Sequence, residues 1–264
     1  MYAFTYSHPS QVSAAVAELA NEDAKPLAGG QTLLPTMKQR LASPAALVDL
    51  SGVAGLSGIS LDGKTLVIGA MTRHVDVATS DVVKGAFPGL ASLASVIGDP
   101  AVRNIGTIGG SVANNDPAAD YPAAVLASGA TIVTNRRSIR AADYFHGLFE
   151  TALDGDELIT AIRFPIPEKA AYEKFRNPAS RYALVGVFVA KTDEGVRVAV
   201  TGAGASGVFR LPEFEAALDA NFSAAALDGL KVDASGLAGD MHGDAEYRAH
   251  LIGVLAKRAV AAAH

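Results

Sequence analysis

The chain has no cysteine and no tryptophan. Without cysteine, its own residues cannot form disulfides, thiolate nucleophiles, or thiolate-ligated zinc or iron–sulfur clusters. Histidine is sparse: His8, His74, His146, His242, His250 and His264 never fall three or four apart, so no helical pair of imidazole ligands exists. Each reads as an ordinary surface or core histidine, and no metal site is expected. Positive charge is not in excess, with 22 Lys and Arg against 27 Asp and Glu, a net charge of −5. A nucleic-acid partner is therefore not expected, and the densest basic spot, Arg136, Arg137 and Arg140, reads as a solvated turn. The longest uncharged apolar run, Tyr121–Thr134, is too short to cross a bilayer and holds Pro122 and Gly129. No basic residue precedes Lys25 and no apolar run follows the start, so a secretory leader is not expected.

What is present is ample core material, since half of the 264 residues are hydrophobic. That length suits one large domain or two small ones. Tyr2–Tyr6 alternates as a strand. Ser10 is placed to cap a helix whose Val12, Ala15, Val16 and Leu19 share a face. Lys25–Leu27 reads as a strand, Leu33–Leu41 as a helix and Ala46–Leu50 as a strand, together a βαβ-like unit. Gly58–Leu61 and Lys64–Gly69 flank Asp62-Gly63, which suits a type I′ hairpin. Thr72–Gly98 reads as two helices, near Val75–Val83 and Gly89–Val96. Gly98–Asp120 reads as turns, followed by a helix from Pro117 or Tyr121. Ala130–Thr134 and Leu158–Phe164 are strands. Pro165–Ala170 is the internal boundary: beyond it lie three antiparallel strands, Tyr172–Arg176, Tyr182–Lys191 and Val196–Thr201, then helices at Leu211–Ala220 and Ala245–Ala263. The expected division is residues 1–170, with subdomains of about 1–55 and 56–170, and then 171–264.

Two glycine-rich stretches carry the chemistry. In Lys25-Pro26-Leu27-Ala28-Gly29-Gly30-Gln31-Thr32-Leu33, a strand runs into paired glycines and a helix follows. Glycines let backbone N–H groups close on an anion, and a helix start adds partial positive charge. The plain alternative is a tight strand–helix turn. The second stretch, Arg103–Pro117, holds Gly106, Gly109 and Gly110 among hydroxyl and amide side chains with almost no positive charge. Two such loops facing each other could wrap a pyrophosphate with backbone donors alone. The spacing matches neither the Rossmann fingerprint nor a Walker loop, and no Gly-x-Ser-x-Gly elbow exists, so no catalytic residue is assigned. Asp116 and Asp120 lie four apart near a helix start, where Asp116 reads as a cap.

Ala28–Pro35 and Thr107-Ile108-Gly109-Gly110-Ser111-Val112-Ala113-Asn114 resemble the two flavin motifs of the FAD-binding medium subunit of molybdenum hydroxylases. The likeness is nearest to the flavoprotein subunits of aerobic carbon monoxide dehydrogenases and more distant to the FAD domain of xanthine dehydrogenase. It continues through Gly155–Pro165 and Tyr172–Lys174 into Asp240–Ala259. The resemblance implies an α+β chain: a two-subdomain, vanillyl-alcohol-oxidase-like FAD-binding fold followed by a small C-terminal domain of three-stranded antiparallel sheet plus helices. It implies FAD held by Lys25–Leu33 on one side and by Ile97, Val102, Gly106–Ser111, Ala113 and Asn114 on the other. Asp120 matches an acid that binds the ribose or flavin-side polar groups. Ile159 packs near the flavin ring and Tyr182 lies against it. A positive group beside the ring is implied at Lys174 or Arg176, with Arg176 the candidate for stabilising the reduced anionic flavin.

The same resemblance implies a large partner with the molybdopterin cofactor and a small partner with [2Fe–2S] clusters, assembled as a dimer of heterotrimers. Their place is the cytoplasm or the inner face of its membrane, held there peripherally. Electrons would pass from iron–sulfur clusters through FAD to an external acceptor, a quinone ahead of NAD, while substrate oxidation occurs on the molybdenum chain. Two other readings stand beside it: a stand-alone FAD-dependent oxidoreductase of the same fold, and a binding module that has lost FAD.

Overall fold

The computed structural model describes residues 1–21 and 23–264. The first layer is a parallel sheet built from β1 (Thr5–Ser7), α1 (Val12–Leu19), β2 (Ala24–Leu27), α2 (Leu33–Lys38) and β3 (Ala46–Asp49), in strand order β1-β3-β2. Pro26 sits on the edge strand β2, where a missing N–H costs no ladder bond. Ala15 and Leu19 of α1 share a core with Val48, Leu50, Val53 and Leu56, which Leu158 joins from far along the chain. Gln11, not Ser10, occupies the N-cap of α1 and makes no side-chain cap bond. Ser10 lies one residue too early, and its carbonyl instead accepts the Ala54 N–H.

The second layer opens on the hairpin of β4 (Ile59–Asp62) and β5 (Thr65–Gly69). Its central pair is Gly63-Lys64 rather than Asp62-Gly63, and only Gly63 has positive φ, 58°. That is a turn with glycine at its first central position, not type I′. Three helices follow where two were expected: α3 (His74–Thr79), α4 (Asp81–Ala86) and α5 (Pro88–Ser95). Ser80 Oγ accepts the Val83 N–H and Pro88 opens α5, so both breaks carry helix-start chemistry. The stretch read as turns is largely helical: α6 (Pro100–Ile105) and α7 (Ile108–Asn114). Asp99 caps the first through Val102 N–H, and Thr107 caps the second through Gly110 N–H. Then come α8 (Tyr121–Ser128), β6 (Thr131–Thr134), β7 (Ser138–Arg140), the small hairpin β8 (Phe145–Gly147) and β9 (Glu150–Thr151), and β10 (Ile159–Pro165). The resulting antiparallel sheet has order β4-β5-β10-β6-β7.

The third layer is the antiparallel sheet of β11 (Lys169–Arg176), β12 (Ala183–Thr192), β13 (Gly195–Thr201) and β14 (Phe209–Arg210), followed by α9 (Pro212–Ala220) and α10 (Ala245–Ala262). It has four strands rather than three because Phe209 and Arg210 pair with Val200 and Ala199. Strand β12 is buried on both faces, so it reads as a continuous apolar run. Val185, Val187 and Val189 enter the core shared with α9 and α10. Phe188 and Ala190 point the other way, into the core of the second layer, where Phe188 meets Phe87 edge-on at 5.9 Å. The second and third layers are thereby locked together across residues 166–168.

Candidate cofactor site

A cavity of about 560 Å³ lies where the β2–α2 loop meets α6, α7 and the approaches to β10 and β12. This is the size of a small-molecule pocket, roughly 300–1,000 Å³. The two glycine loops touch one another in its wall. A Cβ on Gly29 would stand 2.5 Å from Ile105 O and 2.6 Å from Gly106 Cα, so only glycine permits this approach. In α7, a Cβ on Gly109 would stand 2.5 Å from the Ala70 Cβ, so glycine lets the helix lie directly on the end of β5.

The loops divide their work differently from the symmetrical cradle expected. In the first, the N–H groups of Gly29, Gly30, Gln31 and Thr32 have no protein acceptor among the described residues. The Gln31 side chain donates back to Gly29 O at 3.0 Å, which steadies the turn. In the second, four successive amides are spent inside the protein, and that of Thr107 alone among residues 107–111 has no protein acceptor among the described residues. Ile108 N–H donates to Thr72 O, Gly109 N–H to Ala70 O, Gly110 N–H to Thr107 Oγ1 and Ser111 N–H to Thr107 O. What this loop presents is the side chains of Ser111 and Asn114 on the cavity wall. Free amides on one side and free polar side chains on the other suit a diphosphate held without a basic cluster. Lys25 adds one positive charge to the wall.

Of the residues implied by the resemblance, Lys25–Leu33, Ile97, Val102, Gly106, Thr107, Gly109–Ser111, Ala113, Asn114, Asp120, Ile159 and Tyr182 all line this cavity. Ile108 and Arg176 do not. Ile108 is turned wholly into the core beside Val112, and Arg176 is exposed near the end of β11. Behind the wall, the cation that meets the lining residue Asp120 is Lys174, whose Nζ lies 2.9 Å from Asp120 Oδ1 and 3.1 Å from Val96 O. Asp116 is no helix cap. Its Oδ1 accepts the Ala118 N–H in a local turn, and burial pushes its carboxyl up.

Sequence reasoning missed several wall residues. His74 is buried between Gly106 and Tyr121, its ring 5.4 Å from the tyrosine ring. Burial, helped by Arg103, drops its pKa to about 4, so the imidazole is neutral. Glu157 is fully enclosed and bound by Arg137 and Thr134, with Arg137 the main cause of a pKa of about 2. The Arg136–Arg137 pair is therefore no idle solvated turn: Arg136 bridges Asp154 and Asp156 while Arg137 neutralises Glu157. Phe149 stands 58% exposed on the rim with φ 57°. Its N–H donates to Asn115 O, and Asn115 Nδ2 donates to Gly147 O and Glu150 O. None of these contacts has a local sequence signal, since each joins residues 18 or more positions apart.

The comparisons with known proteins agree with this geometry. Residues 2–167 match the family described as the FAD binding domain in molybdopterin dehydrogenase. The chain is 37% identical to the carbon monoxide dehydrogenase medium chain of Afipia carboxidovorans, over 97% of this chain and 95% of that one. It is 34% identical to the nicotine 6-hydroxylase medium subunit of Paenarthrobacter nicotinovorans, over 98% and 96%. A solved carbon monoxide dehydrogenase from Hydrogenophaga pseudoflava superposes with a TM-score of 0.89 at 37% identity, over 99% of this chain and 97% of the other. The chain belongs to the FAD-binding family of the molybdopterin dehydrogenases. Its cofactor is FAD, its class is oxidoreductase, and its fold is the α+β arrangement that the resemblance implied.

Proposed function

We propose that this chain is the electron-transfer subunit of a heterotrimeric molybdenum hydroxylase of the carbon monoxide dehydrogenase type. FAD supplies two-electron storage with one-electron exchange, and the chain positions it and tunes it. The observation that carries the reading is the open rim, where the exposed aromatics Tyr182 and Phe149 both line the cavity and a partner's redox centre can approach the ring. The chain has no cysteine, so an iron–sulfur donor must sit on another chain. The partners proposed are a large molybdopterin subunit and a small [2Fe–2S] subunit, paired as a dimer of heterotrimers, in the cytoplasm or peripherally at the inner membrane face. The external acceptor proposed is a quinone.

Within the chain, residues 1–170 are proposed as the FAD-binding domain, with subdomains of about 1–55 and 56–170, and residues 171–264 as the C-terminal domain. The diphosphate would lie against Gly29–Thr32 and Ser111, and the flavin ring between Tyr182 and Asp120. Relatives named for carbon monoxide and for nicotine match this chain at 37% and 34% identity, so the substrate is set at the partner's molybdenum rather than here. The test is to purify the complex from its native host through a tag on this chain. Recovery of molybdopterin and iron–sulfur subunits, with flavin bleaching on addition of the substrate, is the expected result. A flavoprotein that comes alone and oxidises a small molecule unaided would overturn the reading in favour of the stand-alone enzyme.

A further inference from the structure

Tyr172, Asp120 and Lys174 form a hydrogen-bonded string inside the protein whose middle member, Asp120, lies on the cavity wall. The Tyr172 hydroxyl donates to Asp120 Oδ1, and Lys174 Nζ donates to Oδ2 at 3.0 Å. Two buried carboxylates line the cavity, Glu157 and Asp120. They are held in opposite ways. Glu157 is bound by Arg137, Thr134 and the Asp154 N–H, which fix it as an anion. Asp120 is so completely desolvated that burial outweighs the Lys174 ammonium, and its carboxyl is pushed up. Burial also pushes the Lys174 ammonium down, against the pull of Asp120. Of the two, only Asp120 is poised to change its protonation state.

The other groups around it are Arg176 on β11, Tyr121 at the start of α8, Asp116 on the preceding loop and Tyr182 at the entry to β12. Arg176 alone among them is a cation, and it is exposed, so solvent screens it. Negative charge arriving in the cavity therefore meets, in Asp120, a wholly buried carboxyl held by two hydrogen-bond donors, whereas Asp116, also pushed up by burial, is only partly enclosed and faces more solvent. A nearby like charge disfavours the carboxylate and draws a proton onto it.

We infer that Asp120 is the charge-compensating residue of the flavin site: it takes up one proton from water as an electron pair enters the cofactor, while Lys174 and Tyr172 hold its carboxyl in place. The inference rests on the electron-transfer reading above. The balance is simple. Two electrons come from an iron–sulfur donor, or from dithionite in the test. One proton from water converts the Asp120 carboxylate to the neutral acid, and any proton bound by the ring is counted separately. Reoxidation by the acceptor returns the proton from Asp120 to water.

The test is a dithionite titration of the FAD-loaded complex across a pH series, reading the midpoint potential, with an infrared difference spectrum of the reduced and oxidised forms. Asp120→Asn should take up one proton fewer per electron pair wherever the native protein takes it up. That makes the slope of potential against pH shallower by about 30 mV per unit, the tenfold value for a two-electron couple. The native spectrum should gain a protonated-carboxyl band on reduction, absent in Asp120→Asn. Tyr172→Phe keeps the carboxyl but removes a donor to its ionised form, so the uptake window should move to higher pH. Equal slopes in native and Asp120→Asn, or no carboxyl band, would overturn the inference. If Asp120→Asn fails to retain FAD, an unmoved window in Tyr172→Phe overturns it instead. A native protein that holds no FAD would sink the electron-transfer reading itself, a result distinct from either.

Discussion

Lys174 Nζ stands 2.9 Å from Asp120 Oδ1 with both side chains nearly closed to solvent, 3% and 4% exposed. The two residues are 54 positions apart and tie the start of α8 to β11. Removing one partner of a buried pair strands the other charge, typically at a cost of about 3–5 kcal/mol, whereas removing both is far milder. Lys174→Met should therefore lower the urea midpoint sharply, and Asp120→Asn with Lys174→Met should recover most of the loss. Additive losses in that double-mutant cycle would show that the pair is not coupled.

Gly29 is required by contact rather than by anion chemistry alone. A Cβ there would collide with Ile105 O at 2.5 Å, and the atom it meets is backbone, which cannot swing aside. Gly29→Ala should separate the two loops and cut FAD affinity by roughly tenfold or more, the effect of an overpacking strain of about 1–3 kcal/mol directed at the site. The far-UV circular dichroism should stay close to native. Flavin content after dialysis reads the first effect, and undiminished retention would contradict it.

His74 gives the protein a defined acid sensitivity. Its pKa falls from 6.5 to about 4 on folding, chiefly by burial. Because the folded value is the lower one, the unfolded chain binds the proton first as pH drops below 6.5. Stability is thus whole above that value and declines towards pH 4, by about 3 kcal/mol for a shift of this size. His74→Leu should flatten this part of the unfolding free energy against pH while leaving the carboxylate-driven loss at lower pH. An unchanged profile would mean that His74 titrates freely.

Much of the fold was open to reading because its signals are local. The shared face of Val12, Ala15, Val16 and Leu19, the glycine of the β4–β5 turn and the unbroken apolar run of β12 all lie within a few residues of one another. The failures have a common cause. Residues 98–120 looked like turns because glycine and asparagine usually break helices, yet Gly109 is helical so that α7 can lie on Ala70, 39 positions earlier. The same contact consumes the Gly109 N–H, so the second loop could not offer the amides that its composition suggested. The choice between Arg176 and Lys174 was closed to reading for a similar reason: alternation along β11 makes both equivalent, and only the position of Asp120 distinguishes them. The sequence spelled out which segments form the cavity wall, but not which atoms remain free in it.

Asn115 holds the rim of the cavity from a strained position. Its φ is 43°, its side chain donates to Gly147 O at 2.8 Å and to Glu150 O at 2.9 Å, and its carbonyl accepts the Phe149 N–H. The first two bonds clamp both ends of the β8–β9 turn, and the third fixes Phe149, itself at φ 57°, over the cavity edge. Asparagine tolerates the left-handed region better than most residues, and alanine there carries about 1–2 kcal/mol of strain besides leaving two carbonyls without donors. Asn115→Ala should cost about 2–4 kcal/mol of global stability, with Asn115→Gly costing less because it relieves the backbone and loses only the clamp. Both variants should speed hydrogen exchange at residues 147–150 and raise the quenching of bound-flavin fluorescence by iodide, since a loosened β8–β9 turn leaves Phe149 tied to the rim by its main-chain bond alone. Fast exchange without greater quenching would show that the turn is clamped but that Phe149 does not shield the cofactor.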